Sequence, residues 1–276
     1  MSKIWFITGS SRGFGREFVR AALERGDRVA ATARNTDSLQ DLVAVHGEAL
    51  LPLALDVTDK AAAFEAVKRA HDHFGRLDVV VNNAGYSVVG MVEELTEQQI
   101  RSQMETNFFG ALWVTQAALP LLRAQHSGHI VQISSISGVA AFPTIGGYNA
   151  SKWALEGLTE ALAQEVAGFG IKVTLVEPGA FATDLAPGGP SAILAEPLPA
   201  YEAARAMVAA EHGRFEFGDP AAAGPALLKV VDAENPPLRV LFGTSPLQIM
   251  PYVYAERLKT WEQWAEVATE AQGVAA

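Results

Sequence analysis

A phenol and an ammonium group stand four residues apart in Tyr148-Asn149-Ala150-Ser151-Lys152. On a helix that spacing places both side chains on one face. A free phenol, with a pKa near 10, exchanges protons poorly at neutral pH. A neighbouring positive charge favours the phenolate, so Lys152 is expected to lower the Tyr148 pKa towards the working range of a general acid or base. Thirteen residues before Tyr148, Ser135 follows an apolar run in Ile133-Ser134-Ser135-Ile136-Ser137-Gly138. Its hydroxyl is suited to donate to an oxygen on which negative charge develops, such as that of a carbonyl. A Tyr–Lys pair alone is usually surface decoration, so the reading depends on what the rest of the chain supplies.

The first such support is Thr8-Gly9-Ser10-Ser11-Arg12-Gly13-Phe14-Gly15, which follows an apolar run and opens an amphipathic one. Glycines there permit a tight turn and close approach of backbone to a pyrophosphate, while the helix N-terminus offers free N–H groups to the anion. After the second apolar run, the position where an acidic residue would accept from a ribose 2′-hydroxyl is Ala33, and Arg34 follows it. A guanidinium there suits a 2′-phosphate, and Arg12 could supply a second cation to it. Solvated surface arginines are the plain alternative. NADPH is therefore expected to bind more tightly than NADH, by at least ~1.4 kcal/mol or tenfold.

Asn82-Asn83-Ala84-Gly85 closes the fourth strand-like run, Asp56-Val57 the third, and Pro178-Gly179-Ala180-Phe181-Ala182-Thr183 follows the sixth. With the TGxxxGxG spacing of the glycine turn and the Ser/Tyr/Lys spacing, residues 3–185 resemble the short-chain dehydrogenase/reductase family. The resemblance implies NADP(H)-dependent transfer of hydride between a carbonyl and a secondary alcohol. It makes Tyr148 the general acid/base and Ser135 the group that polarises the carbonyl, and it gives Lys152 the nicotinamide ribose hydroxyls. Asn107, in Thr106-Asn107-Phe108-Phe109-Gly110, would be the fourth member, bending its helix and holding a water for proton relay. Gly9, Ser11, Arg12, Gly13, Phe14, Gly15, Arg34, Asp56, Val57, Asn83, Ala84 and Gly85 would line the cofactor, with Pro178, Gly179 and Thr183 at the nicotinamide end. Asp56 could instead cap the following helix, and Asn107 could be a backbone-satisfied polar residue. A catalytically silent NADP-binding sensor or scaffold of the same fold is the rival function. A nucleotide-sugar epimerase or dehydratase is a weaker rival, because the glycine spacing is wrong for it.

Composition narrows the field further. Net charge is −10 with 21 basic against 31 acidic residues, which argues against nucleic acid and anionic membrane surfaces as partners. No cysteine is present, and the six histidines lack metal-ligand spacing, so no metal site is expected. The first seven residues carry no secretory-leader pattern, and no apolar run is long enough to span a bilayer. A cytoplasmic protein is the expectation.

The elements that must position these groups follow from periodicity. Apolar runs at Lys3–Thr8, Arg28–Ala33, Ala49–Asp56, Leu77–Asn82, His129–Ser134, Lys172–Glu177 and Leu238–Phe242 read as strands apolar on both faces. Helical patterns at Gly13–Arg25, Thr36–Val45, Lys60–Phe74, Thr96–Gln125 and Tyr148–Phe169 separate them. This alternation predicts an α/β, Rossmann-like, doubly wound parallel sheet of about seven strands in one domain, residues 1–276. Residues 186–215 are expected to form a lid, although Ala186–Pro199 could equally be a solvated loop. Residues 245–276 form a C-terminal extension with a helix around Glu256–Glu270, whose Trp261 and Trp264 suit a core or interface.

Candidate substrate walls are Tyr86, Val88, Val89, Phe142, Ile145, Phe181, Leu185, Ile193, Leu194, Leu198 and Met207, unless these are ordinary core. With no cation among them, an apolar ketone, aldehyde or alcohol is expected. The family resemblance also implies a homodimer or homotetramer built partly through Thr96–Gln125 and Tyr148–Phe169.

Overall fold

In the computed structural model, residues 2–185, 189–212 and 216–273 are described. Nine strands occur among them: β1 (Ile4–Ile7), β2 (Arg28–Ala33), β3 (Leu50–Ala54), β4 (Val79–Asn82), β5 (Ser87–Val89), β6 (Gly128–Ile133), β7 (Ile171–Pro178), β8 (Ala192–Leu194) and β9 (Arg239–Phe242). The helices are α1 (Gly13–Glu24), α2 (Gln40–His46), α3 (Lys60–Phe74), α4 (Glu97–Met104), α5 (Gly110–Gln125), α6 (Gly146–Val166), α7 (Glu202–His212), α8 (Ala223–Asp232), α9 (Ser245–Gln263) and α10 (Ala265–Gln272). Seven strands make one parallel sheet in the order β3-β2-β1-β4-β6-β7-β9. The strands are apolar on both faces because helices cover both. One core packs α3, α5 and α6 on one face, and the other packs α1, α2 and α8 on the opposite face.

Burial without loss of hydrogen bonding is visible in Trp5. Its indole is wholly enclosed, and Nε1 donates to Asp27 Oδ2 at 2.8 Å. Helix ends are set by local chemistry: Asp59 accepts from Ala62 N to start α3, and Gly75 in the left-handed conformation ends it. The expected helix Thr96–Gln125 is interrupted. Thr96 and Gln99 form a capping box for α4, and one wide turn at Glu105–Phe109, centred on Asn107, precedes α5.

Elements outside the expected set are the short parallel pair β5–β8, helix α8, and an α9 that begins at Ser245, well before Glu256. The C-terminal helix breaks at Trp264, so the expected continuous run is two helices. Trp261 and Trp264 are not core on this chain, being 68% and 63% exposed. Part of the expected lid, residues 186–188 and 213–215, and the last three residues of the extension lie outside the described residues. No helix among the described residues is long and apolar enough to cross a membrane.

His129, near the start of β6, has its Nε2 2.9 Å from Thr174 Oγ1 and is 3% exposed. Burial, reinforced by Lys172 and Lys3, pushes its imidazole down to about 4. The unfolded chain therefore takes up this proton first as pH falls, and the stability present above about pH 6.5 is lost on descent towards about pH 4. Urea unfolding near about pH 7 and about pH 4.5 is expected to show His129→Gln losing less stability than the unsubstituted protein, by on the order of 2 kcal/mol. Equal losses would remove His129 as the cause.

Candidate active site

Strand order reverses between β1 and β4, and the chain leaves those two strands in opposite directions across the sheet. That divergence opens a crevice at the carboxyl ends of the strands, the usual ligand position in such sheets. A cavity of about 1380 Å³ occupies it.

The glycine turn forms one end. Gly9 and Gly13 have φ of +66° and +54°, values that side-chain-bearing residues rarely adopt. Gly15 packs against the carbonyl of Gly9 so closely that an added Cβ would lie 2.3 Å from that oxygen. Asn83 braces the same turn, its Nδ2 donating to the carbonyls of Thr8 and Gly9 at 3.0 and 3.1 Å. Thr8, the first residue of the TGxxxGxG motif but given no role of its own there, joins the two segments: its Oγ1 accepts from Asn83 N and Ala84 N. Arg12 occupies the N-cap of α1 without a side-chain cap, and no acidic residue follows in the first turn. The positive end of α1 thus opens on the cavity beside Gly9, Ser11, Gly13 and Phe14, as a pyrophosphate requires. A dinucleotide fits these residues.

Arg34 is exposed at the rim, with Asp56 and Val57 nearby. Asp56 does not cap α3. It accepts from Thr58 N and Oγ1 in a local turn, and Asp59 supplies the cap. Arg12 reaches across the cavity, with Nε 3.1 Å from Asp184 Oδ2 and a 2.8 Å hydrogen bond to Ser191 Oγ.

The Ser, Tyr and Lys line the same cavity. Ser135, in extended backbone after β6, accepts from Ser137 N at 3.1 Å, and its hydroxyl lies 3.5 Å from the Pro178 carbonyl. Tyr148 and Lys152 project from the first turns of α6, with the ammonium 5.6 Å from the ring centroid. Lys152 Nζ donates to Ile133 O at 2.7 Å. Burial pushes the Tyr148 phenol up to about 12, against the opposing pull of a hydrogen bond with Ser135. The lowering expected from Lys152 is therefore not what this geometry gives: burial sets the direction for the phenol, and it also pushes the ammonium down to about 8.

Asn107 sits in the wide turn, and its amide is fully engaged. Oδ1 accepts from Tyr86 N at 3.0 Å, and Nδ2 donates to Tyr86 O and Ser151 Oγ at 2.9 and 3.0 Å. It lies beside Lys152, since a Cβ on Gly85 would be 3.2 Å from Asn107 Oδ1 and 3.8 Å from Lys152 Nζ. The side chain ties the loop after β4 to α6.

Pro178, Gly179, Thr183 and Leu185 line the cavity, and Thr183 faces Gly13. Gly179 is also required by packing, because a Cβ there would meet Ser245 Oγ at 2.4 Å. Phe181 touches the cavity but stacks edge-on against Phe14 at 4.8 Å. Phe142 is corrected: it packs with Val139, Ala140 and Met250 under α9, away from the cavity. Val88 points into the core, alternating with Val89, while Leu198 and Met207 also lie outside the lining. Tyr86, Val89, Ile145, Ile193 and Leu194 do line it, and β8 carries the last two. Residues missed by sequence reading are Thr144, Glu94, Arg205, Val208 and Phe217. Thr144 has a φ of +66°, costly for a β-branched residue, and its carbonyl accepts from Gly90 N at 2.7 Å. Arg205 corrects the expectation of no cation among the walls. Its guanidinium pairs with buried Glu94 and donates to the Leu198 carbonyl.

Comparison with known proteins agrees with this architecture. Oxidoreductase BOA17 of Botryotinia fuckeliana is 42% identical over 270 residues, 97% of this chain and 98% of the relative. A crystal structure of a short-chain dehydrogenase from Streptomyces avermitilis superposes with a TM-score of 0.90 at 40% identity, covering 98% of both chains. A structure of ElxO with NADP bound gives a TM-score of 0.72 at 27% identity, covering 87% of this chain and 96% of that one. The short chain dehydrogenase family matches residues 3–190. The chain is a member of the short chain dehydrogenase family, an oxidoreductase whose family binds a nicotinamide cofactor.

Proposed function

We propose that the protein is an NADP(H)-dependent reductase of apolar ketones or aldehydes, and the dehydrogenase of the corresponding alcohols. The observation that carries this reading is one continuous cavity. It joins the uncapped N-terminus of α1, at one end, to Ser135, Tyr148 and Lys152. Gly9, Ser11, Gly13, Phe14 and Gly15 would hold the pyrophosphate, with Asn83, Ala84 and Gly85 beside the adenosine half. Asp56 and Val57 would face the adenine, and Thr183 with the backbone of Pro178 and Gly179 the carboxamide. When bound, the cofactor supplies the hydride for reduction and accepts it in oxidation.

The chain's own groups do the rest. Ser135 directs its hydroxyl at the carbonyl oxygen and steadies the charge that develops there. Tyr148, a neutral phenol at physiological pH, delivers its proton to that oxygen. Lys152 holds the ribose hydroxyls and offsets the negative charge left on the phenol oxygen. Asn107 holds the Tyr86 backbone and α6 in register, so that these three meet at one point.

Selectivity for NADPH rests on Ala33, which offers no carboxylate, and on Arg34 at the rim. Arg12 would join it by giving up Asp184. Substrate preference rests on Val89, Ile145, Ile193, Leu194 and Phe217, with Arg205 neutralised by Glu94. The described part of residues 186–215 contributes Ile193, Leu194 and Val208 to the substrate-side wall and is proposed to act as a lid. Titrating both cofactors against the protein is expected to give NADPH at least a tenfold advantage, about 1.4 kcal/mol. A panel of ketones and alcohols followed by nicotinamide absorbance is expected to favour bulky apolar members. Equal cofactor affinities would refute the selectivity, and preference for short polar keto acids would refute the substrate class.

A further inference from the structure

One helical turn along α6 from the cavity-lining Lys152 lies a buried charged cluster centred on Glu156, Glu177 and Arg239, to which the reaction as proposed gives no role. Glu156 stands one helical turn after Lys152, and both are 4% exposed. Arg239, from β9, reaches over the end of β7 with Nε 3.0 Å from Glu156 Oε2 and Nη2 2.8 Å from Glu160 Oε2. Its Nε is also 3.3 Å from Oε1 of Glu177, which is 4% exposed on β7. The same Glu156 side chain packs against the loop that carries Ser135, since a Cβ on Gly138 would meet its Cγ at 2.9 Å. One cluster therefore touches the helix of Tyr148 and Lys152, the loop of Ser135, and the strand leading into Pro178-Gly179. Arg239 lies outside residues 3–190, the part of the chain that the family matches.

We propose that Glu156, clamped by Arg239, is a positioning residue for the reaction, sustaining the positive charge of Lys152 from within the protein. This rests on the reductase reading above. Two buried carboxylates share one guanidinium, so the first negative charge is matched and the second is not. Burial raises Glu177 to about 7, with Glu156 adding to the rise and Arg239 opposing it, so Glu177 retains its proton into the neutral range. Burial raises Glu156 too, and Arg239 opposes that rise. Lys152 is pushed down by its own burial, and Glu156 acts against that push. The charged groups packed on this face among the described residues are Lys152, Glu156 and Glu160 of α6, Glu177 of β7 and Arg239 of β9. Of these, Glu156 is the carboxylate that supports the ammonium.

Loss of the Glu156 charge lowers the pH at which Lys152 gives up its proton, and the proton donor loses its compensating charge sooner. Two profiles are measured on the full chain: kcat/KM for ketone reduction with NADPH against pH, and the NADPH dissociation constant against pH without substrate. In Glu156→Gln, the alkaline limb of both is expected to move to lower pH by about one unit, a tenfold change at fixed pH on that limb. Glu156→Asp should restore part of the shift, and Glu160→Gln, at the exposed side of Arg239, should leave the limb in place. Should Glu156→Gln not fold, Arg239→Met carries the test: without the guanidinium the carboxylates take up protons, and the limb moves the same way. Limbs unmoved in a folded variant overturn the inference while leaving the reductase reading intact. An unsubstituted protein that neither binds NADPH nor reduces a ketone overturns both.

Discussion

Tyr148→Phe is expected to lower ketone turnover by ~10²-fold or more while the NADPH dissociation constant stays within about threefold. The substitution removes one oxygen and leaves the ring. That ring stands in the wall of the cavity with the Lys152 ammonium 5.6 Å from its centroid, so shape and cation contact persist. What disappears is the proton delivered to the carbonyl oxygen as hydride arrives. Water in an apolar pocket is a poor substitute donor, because it is neither held nor oriented. The phenol, pushed up to about 12, is protonated throughout the neutral range, so its own titration should not shape the reduction profile there. Lys152, pushed down to about 8, should. Reduction is expected to hold level below that value and decline above it, as the charge that offsets a developing phenolate is lost. In the variant the level is low at every pH. Unaltered turnover in Tyr148→Phe would end the assignment of Tyr148 as proton donor.

How far the site could be read in advance depends on where each constraint resides. α3 was legible end to end because both of its ends are fixed by neighbours in sequence, Asp59 by accepting from Ala62 N and Gly75 by its left-handed backbone. Six of the strands were placed within one or two residues for a similar reason, and Arg28–Ala33 coincides, because burial on both faces leaves uninterrupted apolar runs. Leu77 was also taken as strand, yet the fourth strand starts only at Val79. The break between α4 and α5 is different. A wide turn at Glu105–Phe109 leaves the apolar rhythm of Thr96–Gln125 nearly intact, and only the polar Asn107 marks it. The pair β5–β8 is too short for any alternation to show, yet it carries Val89, Ile193 and Leu194 into the cavity wall.

The site's electrostatics were the least legible part. Charge proximity is visible in the Tyr148–Lys152 spacing, but depth of burial is not, so the expected direction of the phenol's shift was reversed. Glu94 with Arg205, and Glu156 with Arg239, are pairs 111 and 83 residues apart, joined only by the fold. Phe142 follows the same logic. It was a candidate wall or ordinary core, and α9 returning from the C-terminus claims it for a separate small core.

Gly15→Ala is expected to weaken NADPH binding by at least ~10²-fold and to cost on the order of 1–3 kcal/mol of stability, although it adds only one methyl group. Its backbone is unexceptional, so conformational freedom is not the reason. Space is: the added carbon would lie 2.3 Å from the Gly9 oxygen, 2.9 Å from the Gly9 carbonyl carbon and 2.4 Å from Asn83 Nδ2. Two of these three are main chain and cannot swing aside. Relief requires the glycine turn to move off α1, which breaks the hydrogen bond from Asn83 Nδ2 to Gly9 O and carries the free N–H groups of α1 away from the pyrophosphate position. Gly13→Ala separates the two effects. Its Cβ would find only Thr183, at 3.9 Å, but a φ of +54° imposes a backbone cost of about 1–2 kcal/mol. Gly157→Ala, exposed on α6 with nothing within 4 Å, is expected to gain about 0.5–1 kcal/mol from helix propensity and to bind NADPH normally. Cofactor titration and urea unfolding of the three variants distinguish the causes. If Gly15→Ala bound NADPH as Gly157→Ala does, close approach of backbone at the glycine turn would not be what holds the cofactor.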